Sequence, residues 1–335
     1  MAFASTPDVD TLEAAWPELP LEEWKDTYAT LHRYAQILGK VKLELTPPEN
    51  HWWNVAFRVT PWGLTTGLIP FDTGSFEVDF DFLEHELSFR ASTGETRVME
   101  LASRPVADFY RDVMATLRSL GVEVRIWERP VEIPEDVTPF SEDRHHATYQ
   151  PDFVERWHRA LVQATLVLEE FRARFTGKCS PVHFFWGSFD LAVTRFSGRP
   201  APERPGADAI TREAYCEEVC SAGFWPGSDK TMGAAFYCYA APEPEGFSTA
   251  SIRPAEGWYD PDLKEYLLSY DDVRRDADPR AFLLDFLQST YDACAEQGRW
   301  DRTRLERPLI LPGREARAGE GGETLAEQPS ADGGA

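Results

Sequence analysis

Residues 75–82, SFEVDFDF, alternate without a break between polar and apolar side chains. Side chains along a β-strand point in turn to its two faces, so the apolar residues share one face and the acidic residues share the other. The apolar face consists of Phe76, Val78, Phe80 and Phe82. The opposite face carries carboxylates, which need water. The pattern therefore predicts an antiparallel strand with one solvated face and one buried face that other elements must cover.

Four segments have the three- and four-residue spacing of apolar side chains that is typical of amphipathic helices. They are residues 21–39, 104–121, 151–175 and 279–298. Further strands are predicted at 41–45, 51–60 and 122–127, and AYCEEVCSAG at 214–223 is predicted to be a short helical piece. The sequence thus predicts an α+β fold in which antiparallel sheets pack against four long helices.

The order helix, strands, helix occurs twice, which predicts the internal duplication of an α–β–α module. An offset of 134 residues relates Trp52 to Trp186 and Phe57 to Leu191. We predict an N-terminal half at 11–127, a linker at 128–150, and a C-terminal half at 151–305 with an insertion at 200–230 that is rich in Pro and Gly. Residues 312–335 contain few apolar side chains and are predicted to be disordered. The alternative is two unrelated units with a common order of elements.

The formal net charge is −23. Because such a surface repels phosphate backbones and anionic lipids, we expect neither nucleic acid nor a membrane as a partner, whereas a cationic ligand or a divalent metal ion is compatible with it. The five cysteines include no Cys-x-x-Cys pair, and the first ten residues, MAFASTPDVD, do not look like a secretory signal. No apolar run approaches the roughly 20 residues of a transmembrane helix. We therefore expect a cytoplasmic protein with reduced thiols.

Four segments resemble, in order, a bacterial family of proteins of unknown function. They are HWW followed by GLTTG within 51–67, HFFWGSFDLAVTRFSGR at 183–199, GFWPG at 223–227 and AFYCYAAPEP at 235–244. The resemblance extends over residues 15–305 and implies no activity, so it assigns no catalytic residue. The chain departs from the family at Cys216, Glu217 and Glu218, where the family has Ser-His-Glu. This departure implies that a role of the family's His is lost here or is taken over by Glu217.

Polar and aromatic side chains are concentrated in residues 183–239, beyond what a buried strand needs. Phe189, Leu191 and Val193 share an apolar strand face, so Asp190 points to the other side. If the insertion folds over this side, several polar residues converge on one site. The candidate catalytic residues are His183, Asp190, Glu217 and Tyr237. The candidate ligand-binding residues, which supply flat walls and polar groups, are Trp186, Arg195, Glu218, Trp225 and Tyr239.

These residue types suit two kinds of chemistry. Carboxylates and imidazole bind divalent metals, although the pattern does not identify the ion, and metal-assisted hydrolysis would follow. A carboxyl group and a His also form an acid–base pair. Arg195 or Arg199 can hold an anionic group of a ligand. In the first half, the corresponding candidates are His51, Asn54 and Arg58.

The same residues have a purely structural interpretation. His183 is then a hydrogen-bonded core residue, Arg195 pairs with an acidic neighbour, and the Trp and Tyr side chains are packing. Under that interpretation the protein is a non-catalytic interaction or scaffold protein. The sequence therefore predicts a small-molecule-binding protein or enzyme with its site in the C-terminal half, and it leaves enzymatic activity undecided.

Overall fold

The computed structural model describes residues 13–72, 74–133, 135–227 and 233–308. The tail predicted to be disordered, 312–335, lies outside these residues, as do residues 228–230 of the predicted insertion. The helices whose full length is described are α1 (Leu21–Leu45), α2 (Val106–Ser119), α3 (Pro151–Ala173), α4 (Ala209–Ala214), α5 (Tyr270–Arg275), α6 (Pro279–Gln297) and α7 (Arg302–Leu305). None of the described helices is both long and apolar enough to cross a bilayer.

The strands form two antiparallel sheets. In the first sheet the order is β1-β2-β4-β5-β6, and β3 also pairs with β4. Its strands are β1 (Arg58–Val59), β2 (Gly63–Thr65), β3 (Ile69–Phe71), β4 (Gly74–Asp81), β5 (Glu86–Ala91) and β6 (Thr96–Glu100). The second sheet has the order β11-β12-β10-β9-β8-β7. Its strands are β7 (His183–Phe185), β8 (Asp190–Pro200), β9 (Glu217–Trp225), β10 (Ala235–Ala241), β11 (Trp258–Asp260) and β12 (Glu265–Ser269). The predicted α+β class with antiparallel sheets is confirmed.

Strand β4 has the alternation expected from its sequence. Phe76, Val78 and Phe80 are buried against the helices. On the opposite face Asp79 is also buried, and Arg90 of the neighbouring strand β5 donates a hydrogen bond to its carboxylate. Pairing with an Arg across the sheet therefore replaces water as the partner of this carboxylate.

The two sheets meet at one pair of residues. Phe57, which directly precedes β1, exchanges two backbone hydrogen bonds with Phe184 of β7, at 2.9 and 3.0 Å. Trp157 of α3 lies beside this junction, and its ring contacts Phe82 at 5.5 Å and Phe184 at 5.7 Å between centroids. Side chains from both halves consequently belong to one large buried cluster.

Several local predictions were wrong. Residues 41–45 continue α1, and Val41 is buried on the same helix face as Ile37 and Leu38. The alternation of apolar and charged residues within 41–45 was therefore misleading. Residues 50–55 form a 3₁₀ helix (Asn50–Val55) in place of a strand. Residues 122–127 form no strand. The predicted helical piece at 214–223 contains most of β9, which pairs with β8 and β10 along its length.

The internal duplication stays a prediction, as do the proposed domain boundaries. The matched segments differ in the structure, because β1 has two residues whereas β8, at the corresponding offset, has eleven.

Gly39 allows α1 to approach the second sheet closely. A Cβ atom at this position would overlap the indole ring of Trp186, which precedes β8. Glycine normally destabilises a helix interior by about 1 kcal/mol relative to alanine. Its presence in α1 is therefore explained by the contact with Trp186.

We expect Gly39→Ala to lower the free energy of unfolding by about 1–2 kcal/mol, because the overlap outweighs the gain in helix propensity. In a Trp186→Leu background, which lacks the ring, the same substitution should be neutral or stabilising. Chemical denaturation of the four proteins measures both effects. An equal cost in both backgrounds would contradict the close approach as the cause.

Candidate functional site

Strands β8, β9 and β10 direct a set of polar side chains to one side of the second sheet. Their register places Ala192 beside Gly223 and Gly223 beside Tyr237. Because side chains alternate along each strand, every second residue points the same way. We call this side the pocket face, and it includes Asp190, Thr194, Ser221, Tyr237 and Tyr239. The opposite side, the core face, packs against α3 and α6.

A cavity of about 710 Å³ lies against the pocket face. Its other walls come from the end of α1, the 3₁₀ helix Asn50–Val55, residues 127–132, the β7–β8 turn and α4. Aromatic side chains dominate this lining: Trp52, Trp53, Trp127, Phe185, Trp186, Phe196, Tyr215, Tyr237 and Tyr239. The volume and the mainly apolar walls are typical of sites for small organic ligands. Polar side chains, including the carboxyl groups of Glu44 and Asp208, also line the cavity.

Asp190 lies at the start of β8 with its carboxylate held by two hydroxyl groups. Ser188 donates a hydrogen bond to one carboxylate oxygen and Tyr237 donates to the other. Phe189, between Ser188 and Asp190 in sequence, has a φ of 61°, in the left-handed region. This conformation turns the chain sharply before β8 begins. Burial raises the pKa of the Asp190 carboxyl group, although both hydroxyl donors favour its ionised form. Asp190 thus forms a buried acidic centre in the cavity.

Glu132 is a second carboxyl group in the same cavity. It has a φ of 58°, and its side chain lies directly over Gly187, where any Cβ would overlap the carboxylate. Glu132 is exposed, yet nearby protein atoms raise its pKa to about 7, and the charge of Asp190 adds to this rise. A carboxyl group with such a pKa can take up and release a proton at neutral pH.

Helix α1 fixes the two segments that carry these carboxyl groups. The Gln36 side chain accepts a hydrogen bond from the N–H of Val131 at 2.8 Å and donates one to its carbonyl oxygen at 2.7 Å. His32 Nε2 contacts the carbonyl oxygen of Gly187 at 2.9 Å, so it is the nitrogen that carries the proton. Burial lowers the pKa of His32 to about 4, which keeps the imidazole neutral. One turn of helix therefore positions Val131, which precedes Glu132, and Gly187, which lies three residues before Asp190.

Of the predicted site residues, four line the cavity together: Asp190, Tyr237, Trp186 and Tyr239. Trp186 donates its indole N–H to the carbonyl oxygen of Val55 at 2.9 Å, which fixes the ring as a wall. The Tyr239 hydroxyl lies 2.9 Å from that of Tyr215.

His183 is buried and does not line the cavity. Its ring packs edge-on against Trp53 at 6.1 Å and Phe185 at 5.6 Å. Burial lowers the pKa of His183 to about 3, and the positive charges of Arg58, Lys42 and Arg172 act in the same direction. This imidazole therefore lies outside the cavity lining that contains Asp190, and it stays neutral at ordinary pH.

Arg195 lies on the core face, away from the cavity. Its guanidinium carbon is 3.4 Å from the ring centroid of Phe171 and 4.2 Å from that of Tyr291, and it donates a hydrogen bond to the carbonyl oxygen of Phe171. These contacts stabilise a buried cation through aromatic faces. An anionic ligand in the cavity therefore does not reach this side chain.

The remaining candidates lie at the ends of β9. Glu218 accepts hydrogen bonds from Arg199 and from Ser197, the latter at 2.9 Å. Trp225 is half-buried and interacts with the hydroxyl group of Tyr28. Glu217 points to the same side of β9 as the pocket face, but its carboxylate is bound by Lys178 at 2.5 Å. Glu217 therefore belongs to a separate cluster beside the cavity.

That second cluster contains His51, Lys178, Cys216 and Glu217. The Lys178 ammonium group lies 2.6 Å from His51 Nε2, and Cys216 Sγ lies 4.0 Å from His51 Nδ1. His51 also lines the cavity, so the cluster stands at the cavity wall. Both His51 and Trp52 have positive φ values, 57° and 62°, which direct His51 towards β9.

Sequence reasoning missed Glu132, Lys178 and Cys216 as site residues. Glu132 lies in the segment predicted to be a linker, and Lys178 lies between α3 and β7, so neither has a neighbour in sequence that indicates a site. A Pro-rich acidic segment gives no periodicity from which the direction of a side chain follows. The left-handed conformation of Glu132 is likewise invisible in its sequence.

No curated protein and no solved structure is similar to this chain. One family model, described as a family of unknown function (DUF5996), matches residues 16–307. This match confirms the resemblance inferred from the sequence segments. The chain belongs to the DUF5996 family of unknown function.

Proposed function

We propose that the protein binds a small organic cation in the cavity on the pocket face, with the cationic group at Asp190 and Glu132. The proposal is carried by two carboxyl groups that line one cavity with aromatic walls. Asp190 is buried and Glu132 is exposed, and nearby protein atoms raise the pKa of both. For both groups the largest cause of the rise is desolvation, and no positive charge of the protein opposes it. A ligand that places a positive charge beside these carboxylates is therefore attracted to both of them.

The cations already present in the wall do not balance these carboxylates. Lys40 lines the cavity, but its ammonium group lies 4.9 Å from the ring centroid of Trp127. Among the described residues the lining contains no arginine. An anionic ligand would meet two carboxylates and is therefore disfavoured.

The aromatic walls support the same class of ligand. Rings of Trp and Tyr attract a cation through their faces, most strongly when the site is shielded from water. Trp52 and Trp53 stand on one side of the cavity, and Trp186 and the tyrosines of β10 contribute to other walls. A ligand with a flat or apolar group and an amine can therefore pack the apolar group on the aromatic walls and place the amine at the carboxylates.

We further propose a cytoplasmic location. All five cysteines are unpaired, and two of them, Cys220 and Cys238, have sulfur atoms 3.6 Å apart without a disulfide. A reducing compartment is compatible with this arrangement.

The first test uses four probes of similar size: benzylamine, benzyltrimethylammonium, benzyl alcohol and benzoate. The cavity contains several tryptophans, so quenching of their fluorescence, checked by calorimetry, reports binding. We expect the two cations to bind, the alcohol to bind more weakly and benzoate not to bind. Asp190→Asn should weaken binding of the cations by about tenfold or more, since a hydrogen bond to a charged group contributes about 1.5–3 kcal/mol.

A matched control is Asp79→Asn, which removes a buried carboxylate of the first sheet that does not line the cavity. This variant should retain the affinity of the unaltered protein. Preferred binding of benzoate, or equal affinity of the Asp190→Asn variant, would refute the proposal. Failure of all four probes would favour the alternative of a protein-interaction role.

Binding of the cation should depend on pH through Glu132. The ligand prefers the ionised carboxylate, so below the Glu132 pKa of about 7 a proton must be released before binding. We expect the dissociation constant to rise as the pH falls from about 8 to about 6, by up to about tenfold per pH unit. Glu132→Gln should bind more weakly at about pH 8 and lose this part of the pH dependence. Benzyltrimethylammonium is the probe because its own charge does not titrate.

An unchanged pH dependence in the Glu132→Gln variant would show that another group is responsible. The same series with Glu265→Gln provides the comparison. Burial also raises the pKa of Glu265 to about 7, with Asp190 as a contributing charge, but Glu265 does not line the cavity. We expect that variant to retain most of the pH dependence.

A further inference from the structure

We propose that His51, Cys216 and Glu217 form a binding site for a soft divalent metal ion of the Zn²⁺ class, at the wall of the cavity. Each residue offers one ligand atom, and these atoms all lie within 4.8 Å of one another. The distance between His51 Nε2 and a Glu217 carboxylate oxygen is 3.8 Å. Ligand atoms bound at about 2.0–2.3 Å from Zn²⁺ in a tetrahedron are separated by slightly less than this. Small side-chain movements therefore complete the site.

The protonation of His51 is already correct for metal binding. Its Nδ1 lies 3.0 Å from the carbonyl oxygen of Glu213 and 3.3 Å from that of Ala214, so Nδ1 carries the proton and donates it. Nε2 is then the atom with a free lone pair. Metal-bound His residues generally donate their other N–H to a carbonyl or carboxylate in this way, which fixes the ring and strengthens the ligand.

A cation already occupies the position between two of the ligands. The Lys178 ammonium group lies 2.6 Å from His51 Nε2 and 2.5 Å from the Glu217 carboxylate. Nε2 accepts this hydrogen bond, since an ammonium group has no acceptor. The two ligand atoms are therefore directed at a point where positive charge is stabilised. A metal ion and Lys178 compete for that point, and the Lys178 side chain is 31% exposed, which leaves it free to swing into solvent.

The ligand set selects the type of metal. A thiolate and an imidazole favour Zn²⁺ and related ions, whereas Mg²⁺ and Ca²⁺ prefer oxygen ligands. Cys216 is exposed, so its thiol is accessible to an incoming ion, and its proton leaves to solvent when the metal binds. Three protein ligands leave one tetrahedral position open, as in catalytic zinc sites. Because His51 lines the cavity, this site stands beside the proposed ligand, but metal binding does not rest on that proposal.

The test titrates Co²⁺, and then Zn²⁺ in competition, into the untagged full chain after treatment with a chelator. We expect one ion per chain, a thiolate-to-cobalt charge-transfer band, and release of about one proton per ion at neutral pH. Cys216→Ser should abolish the band, and Cys216→Ser and Glu217→Gln should each weaken binding by at least about tenfold. Lys178→Leu removes the competing ammonium group and should strengthen metal binding. If Lys178 has only a structural role, this substitution should not increase the affinity for the metal.

Cys179→Ser is the matched control, because Cys179 lies next to Lys178 in sequence but outside the three ligands. This variant should bind cobalt like the unaltered protein. The proposal is overturned if neither the unaltered chain nor Lys178→Leu binds an ion, or if the charge-transfer band survives in Cys216→Ser. Circular dichroism of each variant distinguishes loss of the site from loss of the fold.

Discussion

The position of Trp157 is the constraint on which the rest of the structure depends. Its ring is fully buried and stacks on Phe189 at 4.8 Å, with an interplanar angle of 13°. It also contacts Trp24 of α1 at 6.2 Å and Phe82, the first residue after β4 of the first sheet, at 5.5 Å. One aromatic side chain of α3 therefore packs against both sheets and the first long helix. Each large aromatic contact of this kind contributes substantially to core stability. A substitution of Trp157 should therefore destabilise both halves.

The same packing also fixes the backbone beside Asp190 in the cavity. Phe189 precedes Asp190, and its ring is also 4.9 Å from that of His32. The backbone next to Phe189 is thus fixed by aromatic contact on one side and by hydrogen bonds from α1 on the other. Because both supports come from rigid helices, the direction of the Asp190 carboxylate is set by the core and not by a loop. The acidic centre is thereby preorganised, although burial disfavours its charge.

The sequence predicted well where one physical effect dominated. Strand β4 and the long helices have strong periodicity, and the alternation of β8 predicted that Asp190 points away from Leu191 and Val193. Prediction failed where two patterns compete. Val41, Leu43 and Leu45 alternate like a strand, but the preceding helix simply continues, and AYCEEVCSAG contains a four-residue spacing within a paired strand. Prediction also failed for contacts that only the tertiary fold creates, such as that of Glu132 with Gly187.

The two acidic clusters stabilise their carboxylates in different ways. Glu217 has a resident cation, Lys178, so its charge is balanced within the protein. Asp190 has two hydroxyl donors and Glu132 lies over Gly187, but neither has such a cation. Desolvation raises the pKa values of both carboxyl groups. An organic cation therefore gains more at Asp190 and Glu132, where it adds a missing charge, than at Glu217, where it would displace one. A metal ion differs because it also forms bonds to nitrogen and sulfur, which an ammonium group cannot replace. We therefore propose that the two sites select different cations although both are acidic.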